Sequence, residues 1–236
     1  MGRELIFDLG MHDGSDTDYY LKKGYQVVAI DANPALCQQA QQRFTSYLQQ
    51  GRLTILNLAV SDIPGKQKFY IPQHHENLAS LYLEWAQRET TDIQQVEVDS
   101  ITLPALFARF GVPFYLKIDI EGADYQALKQ LQQQPVLPRY ISVEDCRFGF
   151  DYLAILHQLG YSAFKLQDQS IIPQLQDSEL GMCFSPGCSG PLGEETTGEW
   201  LSYQQMLEKY SSEVRKPDGS RIASRDRWFD LHARHD

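Results

Sequence analysis

Long apolar runs are missing from this sequence. Strand-like stretches such as Val27 to Ile30 are short, far below the roughly 20 residues a helix needs to cross a bilayer, so no membrane span is expected. An apolar leader is missing too. Met1 is followed by Gly2, Arg3 and Glu4, and position 6 is Ile rather than the Ser or Thr of a myristoylation signal, which makes the cytoplasm the expected location. Positive charge is in short supply: 21 Lys plus Arg face 31 Asp plus Glu, a formal net charge of -10. That surplus repels a phosphate backbone, and no nucleic-acid partner is expected. Cysteine is scarce as well. Cys37, Cys146, Cys183 and Cys188 sit at irregular spacings that suit reduced thiols better than disulfides, and Cys183 with Cys188 lacks the tight pairing and further His or Cys of a zinc cluster.

What is present is an ordinary globular composition, 42% hydrophobic and 22% charged, in a chain long enough for one main domain. Apolar pieces alternate with helical ones. Glu4 to Leu9 reads as a strand ending at Gly10, and Ser15 to Lys23 as a helix closed by Gly24. Tyr25 to Ile30 is a second strand ending at Asp31. Asn33-Pro34 then opens a Gln-rich helix that stops near Gly51, with proline in the first turn where its missing N–H is harmless. Arg52 to Val60 supplies a third strand. Lys66 to Ile71 and Val96 to Ile101 alternate like strands around a polar stretch and suggest an inserted hairpin or flap. Leu103 to Phe110 reads as a helix, Phe114 to Ile120 as a buried strand running into another helix, and Arg139 to Val143 as a strand ending in Glu144 and Asp145. Tyr152 to Leu159 has helical spacing, Tyr161 to Leu166 is strand-like, and Gly181 to Phe184 is the expected last, antiparallel strand.

The alternation predicts a doubly wound, Rossmann-like α/β fold with about seven strands in one mostly parallel sheet. Residues 1–185 form the expected main domain. Beyond Ser185 the sequence turns to Pro, Gly and acidic residues, then to a helix over Leu201 to Tyr210. Residues 186–236 are therefore expected to be a C-terminal extension packing on the domain or on a partner subunit, which leaves a homo-oligomer open.

In an open parallel sheet, ligands lie at the carboxyl ends of the strands near the point where strand order reverses. The informative residues fall at such ends. Asp8-x-Gly10-x-x-x-Gly14 puts a turn with little side chain ahead of a helix N-terminus. Asp31, at the tip of the next strand, stands where a carboxylate accepts hydrogen bonds from both ribose hydroxyls. The loop departs from the dinucleotide pattern G-x-G-x-x-G because His12 follows Met11, leaving less room for a pyrophosphate. An acid at position 8 suits a cofactor with a free amino group and a sulfonium. S-adenosylmethionine is favoured over NAD, although Asp8 and Asp31 acting only as helix caps would produce the same pattern.

The stretch Lys117-Ile-Asp-Ile-Glu-Gly122, together with Asp8-Leu-Gly10, Ile30-Asp-Ala-Asn-Pro34 and Asn57-Leu-Ala-Val-Ser-Asp62, resembles the FkbM family of S-adenosylmethionine-dependent methyltransferases over roughly residues 4 to 166. Ser189-Gly-Pro-Leu-Gly193 and Trp228-Phe-Asp-Leu-His-Ala233 look like the extension of one bacterial subset of that family. The resemblance implies methyl transfer to a hydroxyl on a small-molecule or saccharide acceptor: a sugar, a glycolipid or a natural product. It also implies that Gly10 and Gly14, with His12 in the same loop, shape the methionine side of the pocket. Asp31 with Ala32 would hold the ribose, Ala59 with Ser61 would lie near the adenine edge, and Asp119 would face the reactive centre.

The family carries over no assured catalytic residue, so that role is argued physically. An alcohol attacking a sulfonium methyl group must lose its proton, and a positioned base contributes about 10²- to 10⁴-fold. Asp119 is the first candidate for base or hydroxyl ligand, with Glu121 and Glu144 next. Lys117 lies on the same side of its strand as Asp119 and is read as readily as a buried ion pair as a catalytic group. The same carboxylates suit Mg²⁺ as hard oxygen ligands, but a metal-free site is preferred. His74 and His75 are adjacent and point apart in extended chain, while His12 and His232 could each reach a substrate, although an isolated histidine is more often structural. Two other readings stay open: a methyltransferase-like module that binds without turnover, and an NAD-dependent oxidoreductase.

Overall fold

A computed structural model describes residues 3–235. Its centre is a seven-stranded sheet in the order β3-β2-β1-β7-β8-β12-β9. The strands are β1 (Leu5–Leu9), β2 (Gln26–Asp31), β3 (Leu53–Asn57), β7 (Tyr115–Ile118), β8 (Tyr140–Glu144), β9 (Ala163–Asp168) and β12 (Phe229–Arg234). Three more, β4 (Ala59–Val60), β5 (Gly65–Pro72) and β6 (Ile93–Ile101), form a side sheet. The helices are α1 (Ser15–Lys22), α2 (Pro34–Arg43), α3 (Thr45–Gln49), α4 (Leu83–Ala86), α5 (Leu103–Phe110), α6 (Asp124–Gln130), α7 (Gly149–Gln158) and α8 (Tyr203–Glu213). Neighbouring strands are parallel except around β12, which runs antiparallel to both β8 and β9. Strand order reverses at the β1–β7 junction. No helix among the described residues is long and apolar enough to cross a membrane.

Local chemistry explains most boundaries. Asn33 caps α2 by accepting from the Ala35 N–H, with Pro34 in the first turn. Thr102 does the same for α5, which ends at Gly111 with φ 87°. Ser202 and Gln205 close a capping box on α8. The third strand is shorter than expected because the Leu58 N–H bonds to the Asp31 carbonyl, and the chain then leaves the main sheet to pair Ala59 and Val60 with β6.

The expected closing strand is corrected. Met182–Cys183 (β11) pairs only with Gln176–Asp177 (β10) as a small ribbon. The strand that completes the main sheet is β12, inserted between β8 and β9, with Phe229, Leu231 and Ala233 at most 1% exposed. Residues 229–234 of the C-terminal extension thus take part in the main sheet. One face of the sheet buries Phe7, Leu9, Leu116, Ile118, Val143 and Leu231 against α5, α6, α7 and α8. The other carries Ile6, Tyr115 and Tyr140 against α1, α2 and the 172–192 segment. Strand alternation also puts a polar row on this second face, Asp8–Lys117–Ser142–His232–Lys165 in register. Glu144 and Asp230 face each other one step nearer the carboxyl ends.

Candidate active site

A cavity of about 1220 Å³ opens at the carboxyl ends of the strands beside the β1–β7 junction. Gly10, His12, Asp31, Ala32, Ala59, Asp119, Glu121 and Glu144 all line it. Asp8, Gly14 and Ser61 do not. Asp8 is fully buried beneath the floor, accepting from the Thr17 hydroxyl at 2.6 Å and lying 3.6 Å from the Lys117 ammonium. Burial, partly offset by Lys117, pushes its pKa up to about 7. Ser61 is buried and accepts from the Ile63 N–H. Gly14 caps α1, where a side chain would meet the Phe44 ring.

The loop after β1 is shaped by close packing. Gly10 has φ 83°, and a Cβ there would lie 1.7 Å from the Asp119 carbonyl oxygen. Its glycine therefore lets two strand tips touch while the residue also lines the cavity. Asp31 organises the two loops beside it: one carboxylate oxygen accepts from the His12 N–H at 2.8 Å and the other from the Asn33 N–H at 2.7 Å. Burial raises its pKa, and these two N–H groups oppose that. A carboxylate has about four lone-pair sites, so Asp31 is fixed in position with acceptor capacity to spare.

Beneath the junction Lys117, 3% exposed, lies 3.4 Å from Asp119 and 3.6 Å from both Asp8 and Asp16. Burial works to lower its pKa, but Asp119, Asp8 and Asp16 outweigh that and hold it well above the usual lysine range. Asp16, which sequence reasoning passed over, also accepts from the Cys188 thiol and the Ser189 N–H. The turn after β7 is clamped from outside: the Ser80 hydroxyl donates to the Glu121 carbonyl at 2.6 Å, and a Cβ at Gly122 would lie 2.6 Å from the Trp85 ring. Glu121 takes φ 48° there and pairs with Arg88. Burial first, then Asp119, raises Glu121 to about 8 despite Arg88. Glu144 is held well above the usual carboxylate range by burial, Asp119, Glu121 and Asp230.

Asp145, grouped with Glu144 in the sequence, also lines the cavity but is taken up by Arg215, from which it accepts three hydrogen bonds. His232 lies 2% exposed inside the sheet, its pKa lowered to about 3 by burial, and is no substrate contact. His74 and His75 are exposed and do not line the cavity. The rim was not foreseen. Arg88, Arg147, Arg215, Arg221, Arg225 and Arg227 line the cavity with Trp228, whose exposure is 42%. Most come from the segment before β12, whose composition resembles a surface tail.

A family model described as the methyltransferase FkbM domain matches residues 8–163, more than half of the chain. No curated protein matches it in sequence. Among solved structures, the chain is similar in fold to the C-terminal domain of a Rhodobacter capsulatus precorrin-6Y C5,15-methyltransferase, at 13% identity and a TM-score of 0.46, covering 100% of this chain and 82% of that one. A Geobacter metallireducens precorrin-6Y C5,15-methyltransferase gives 9% and 0.43, covering 99% and 80%. A Burkholderia thailandensis 1,6-didemethyltoxoflavin-N1-methyltransferase, solved with S-adenosylhomocysteine, gives 11% and 0.41, covering 99% and 72%. The family match takes in the strand tips of β1, β2, β3, β7 and β8, and the chain belongs to the FkbM family of S-adenosylmethionine-dependent methyltransferases.

Proposed function

We propose that the protein transfers a methyl group from S-adenosylmethionine to a hydroxyl of a small acceptor such as a sugar, glycolipid or natural product. The observation that carries this reading is the opening of Asp31, with its two backbone-fixed oxygens, onto the same cavity as Asp119, Glu121 and Glu144. Asp31 accepts from the ribose hydroxyls, Ala32 and Ala59 flank the base, and Gly10 with His12 borders the methionine end. The cavity exceeds the roughly 300–1,000 Å³ of a single-ligand pocket, which leaves room for an acceptor beside the cofactor.

The chemistry asked of the site is an in-line displacement. The acceptor oxygen forms a bond to the methyl carbon as the carbon–sulfur bond breaks, and the sulfonium leaves as a neutral thioether. The hydroxyl proton passes to a carboxylate of the Asp119, Glu121 and Glu144 group. Lys117 keeps Asp119 oriented from below, and Trp85 with Arg88 walls the turn from water.

Calorimetry with S-adenosylmethionine, S-adenosylhomocysteine and NAD tests the cofactor half. Micromolar binding of the first two is expected, none of NAD, and a loss of about 1–3 kcal/mol for Asp31→Ala. Binding of NAD alone would overturn the reading. Methylation of an acceptor only at nitrogen or carbon would overturn the hydroxyl half.

A further inference from the structure

Charge on the cavity floor does not balance. Asp145 is matched by Arg215 and Arg221. Asp124 accepts from the Ile120 and Gly122 N–H groups, Glu121 meets Arg88, and Lys117 serves Asp8, Asp16 and Asp119 together. Two acids are left over. Neither Glu144 nor Asp230 has a side-chain hydrogen bond or ion pair among the described residues. Asp230 is 5% exposed, and a buried unpaired carboxylate is costly unless a cation or a proton neutralises it. Its register partner is Glu144, so both side chains leave the sheet on one face. Of the charged groups acting on Asp230, Asp119 is the strongest; Lys117, the next, opposes it from beyond ion-pair distance. Asp230 in turn is one of the charges that act on Glu144.

The cluster has the dimensions of a coordination shell. One oxygen each from Asp119, Glu121 and Glu144 lies within 4.8 Å of the others. Oxygens on opposite sides of a hard cation, each about 2.0–2.6 Å from it, stand about 4–5 Å apart. From this geometry and the unmatched Asp230 we infer that Asp119, Glu121 and Glu144 hold one divalent cation, with Asp230 beneath them as an outer charge that orients Glu144.

All three ligands are carboxylates, which selects a hard ion of the Mg²⁺, Mn²⁺ or Ca²⁺ kind over zinc or copper. The remaining coordination positions face the cavity. There the ion binds the acceptor hydroxyl and stabilises its deprotonated form, so that the proton leaves to solvent or to a free carboxylate oxygen before the oxygen attacks. This role rests on the methyl-transfer reading. The site itself does not.

The test titrates the full chain, stripped with chelator, with Mn²⁺ followed by the electron paramagnetic resonance of the free ion; S-adenosylhomocysteine calorimetry on the same samples reports folding and cofactor binding. One saturable Mn²⁺ site per chain is expected, displaced by excess Mg²⁺ or Ca²⁺. Asp119→Asn and Glu144→Gln should abolish it, and Asp230→Asn should weaken it about 10- to 100-fold. Glu144→Gln and Asp230→Asn should keep wild-type S-adenosylhomocysteine affinity. A wild-type protein that binds S-adenosylhomocysteine without a saturable Mn²⁺ site overturns the inference, as does a site of undiminished affinity in both the Asp119→Asn and the Glu144→Gln variants. Mn²⁺ binding without S-adenosylhomocysteine binding would preserve the metal site and sink the cofactor reading.

Discussion

Replacing Arg215 with methionine isolates the link that docks the C-terminal region onto the active-site strand. Arg215 and Asp145 have side-chain exposures of 11% and 1%, with their closest atoms 2.9 Å apart, and the Tyr210 hydroxyl donates to the same carboxylate. Methionine keeps much of the aliphatic stem but strands the Asp145 charge. Breaking a buried pair from one side costs about 3–5 kcal/mol. Tyr210 remains and Arg221 stands 3.6 Å away, so the lower end, about 3 kcal/mol, is expected. For a chain of this size that lowers Tm by about 6–12 °C. Thermal unfolding followed by circular dichroism measures it, and adding Asp145→Asn should recover part of the loss because no charge is then stranded. A fall of less than about 2 °C would refute the reasoning and mean that Asp145 is solvated, with the 215–228 segment not seated on β8.

Gly10→Ala should cost more than about 3 kcal/mol in denaturant unfolding, since it combines positive φ with an overlap on the Asp119 carbonyl; Gly24→Ala, at φ 97° with nothing near its Cβ, should cost about 1 kcal/mol. The acidic floor sets a pH trend. Glu121 is raised from 4.5 to about 8, so it contributes stability at low pH that is lost as pH rises through about 8; Glu144 and Asp230, held high by burial, act in the same direction. In chelator, Tm should fall between pH 5 and 8.5, and Asp230→Asn should flatten that slope; an unchanged slope would remove Asp230 from the cluster. Glu194, lowered to about 2 by its hydrogen bonds to Tyr140, Trp200 and Arg234 against a burial effect that raises it, loses its contribution only as pH falls below 4.5, outside that window.

Elements with strong local signals were legible in the sequence. Leu103 to Phe110 is the helix its spacing predicts, and Asp31 and Glu144 lie at strand tips where a run of apolar residues meets an acid. The closing strand was hidden by its own composition. Phe229 to Arg234 places Asp230, His232 and Arg234 on alternate positions, which reads as a half-solvated tail. In the fold His232 joins a buried polar row that exists only once Lys117, Ser142 and Lys165 are brought alongside, and Asp230 faces Glu144. Arg88 and the rim arginines were illegible for a related reason, because irregular segments carry no periodicity from which a direction can be read. Gly10 was legible as a glycine at a strand end, but the contact that requires glycine there, the Asp119 carbonyl just past β7, exists only in the fold.

The insertion of β12 between β8 and β9 also bears on how the protein is made. A chain emerging from the ribosome completes β1 through β8 and then β9 well before residues 229–234 appear. During that interval β8 and β9 present unpaired edges to each other across a strand-wide gap, and Asp145 waits without Arg215. Unpaired edges invite pairing with other chains. Pairing of β12 with both strands seals both edges at once and, in the same register, brings Asp230 opposite Glu144.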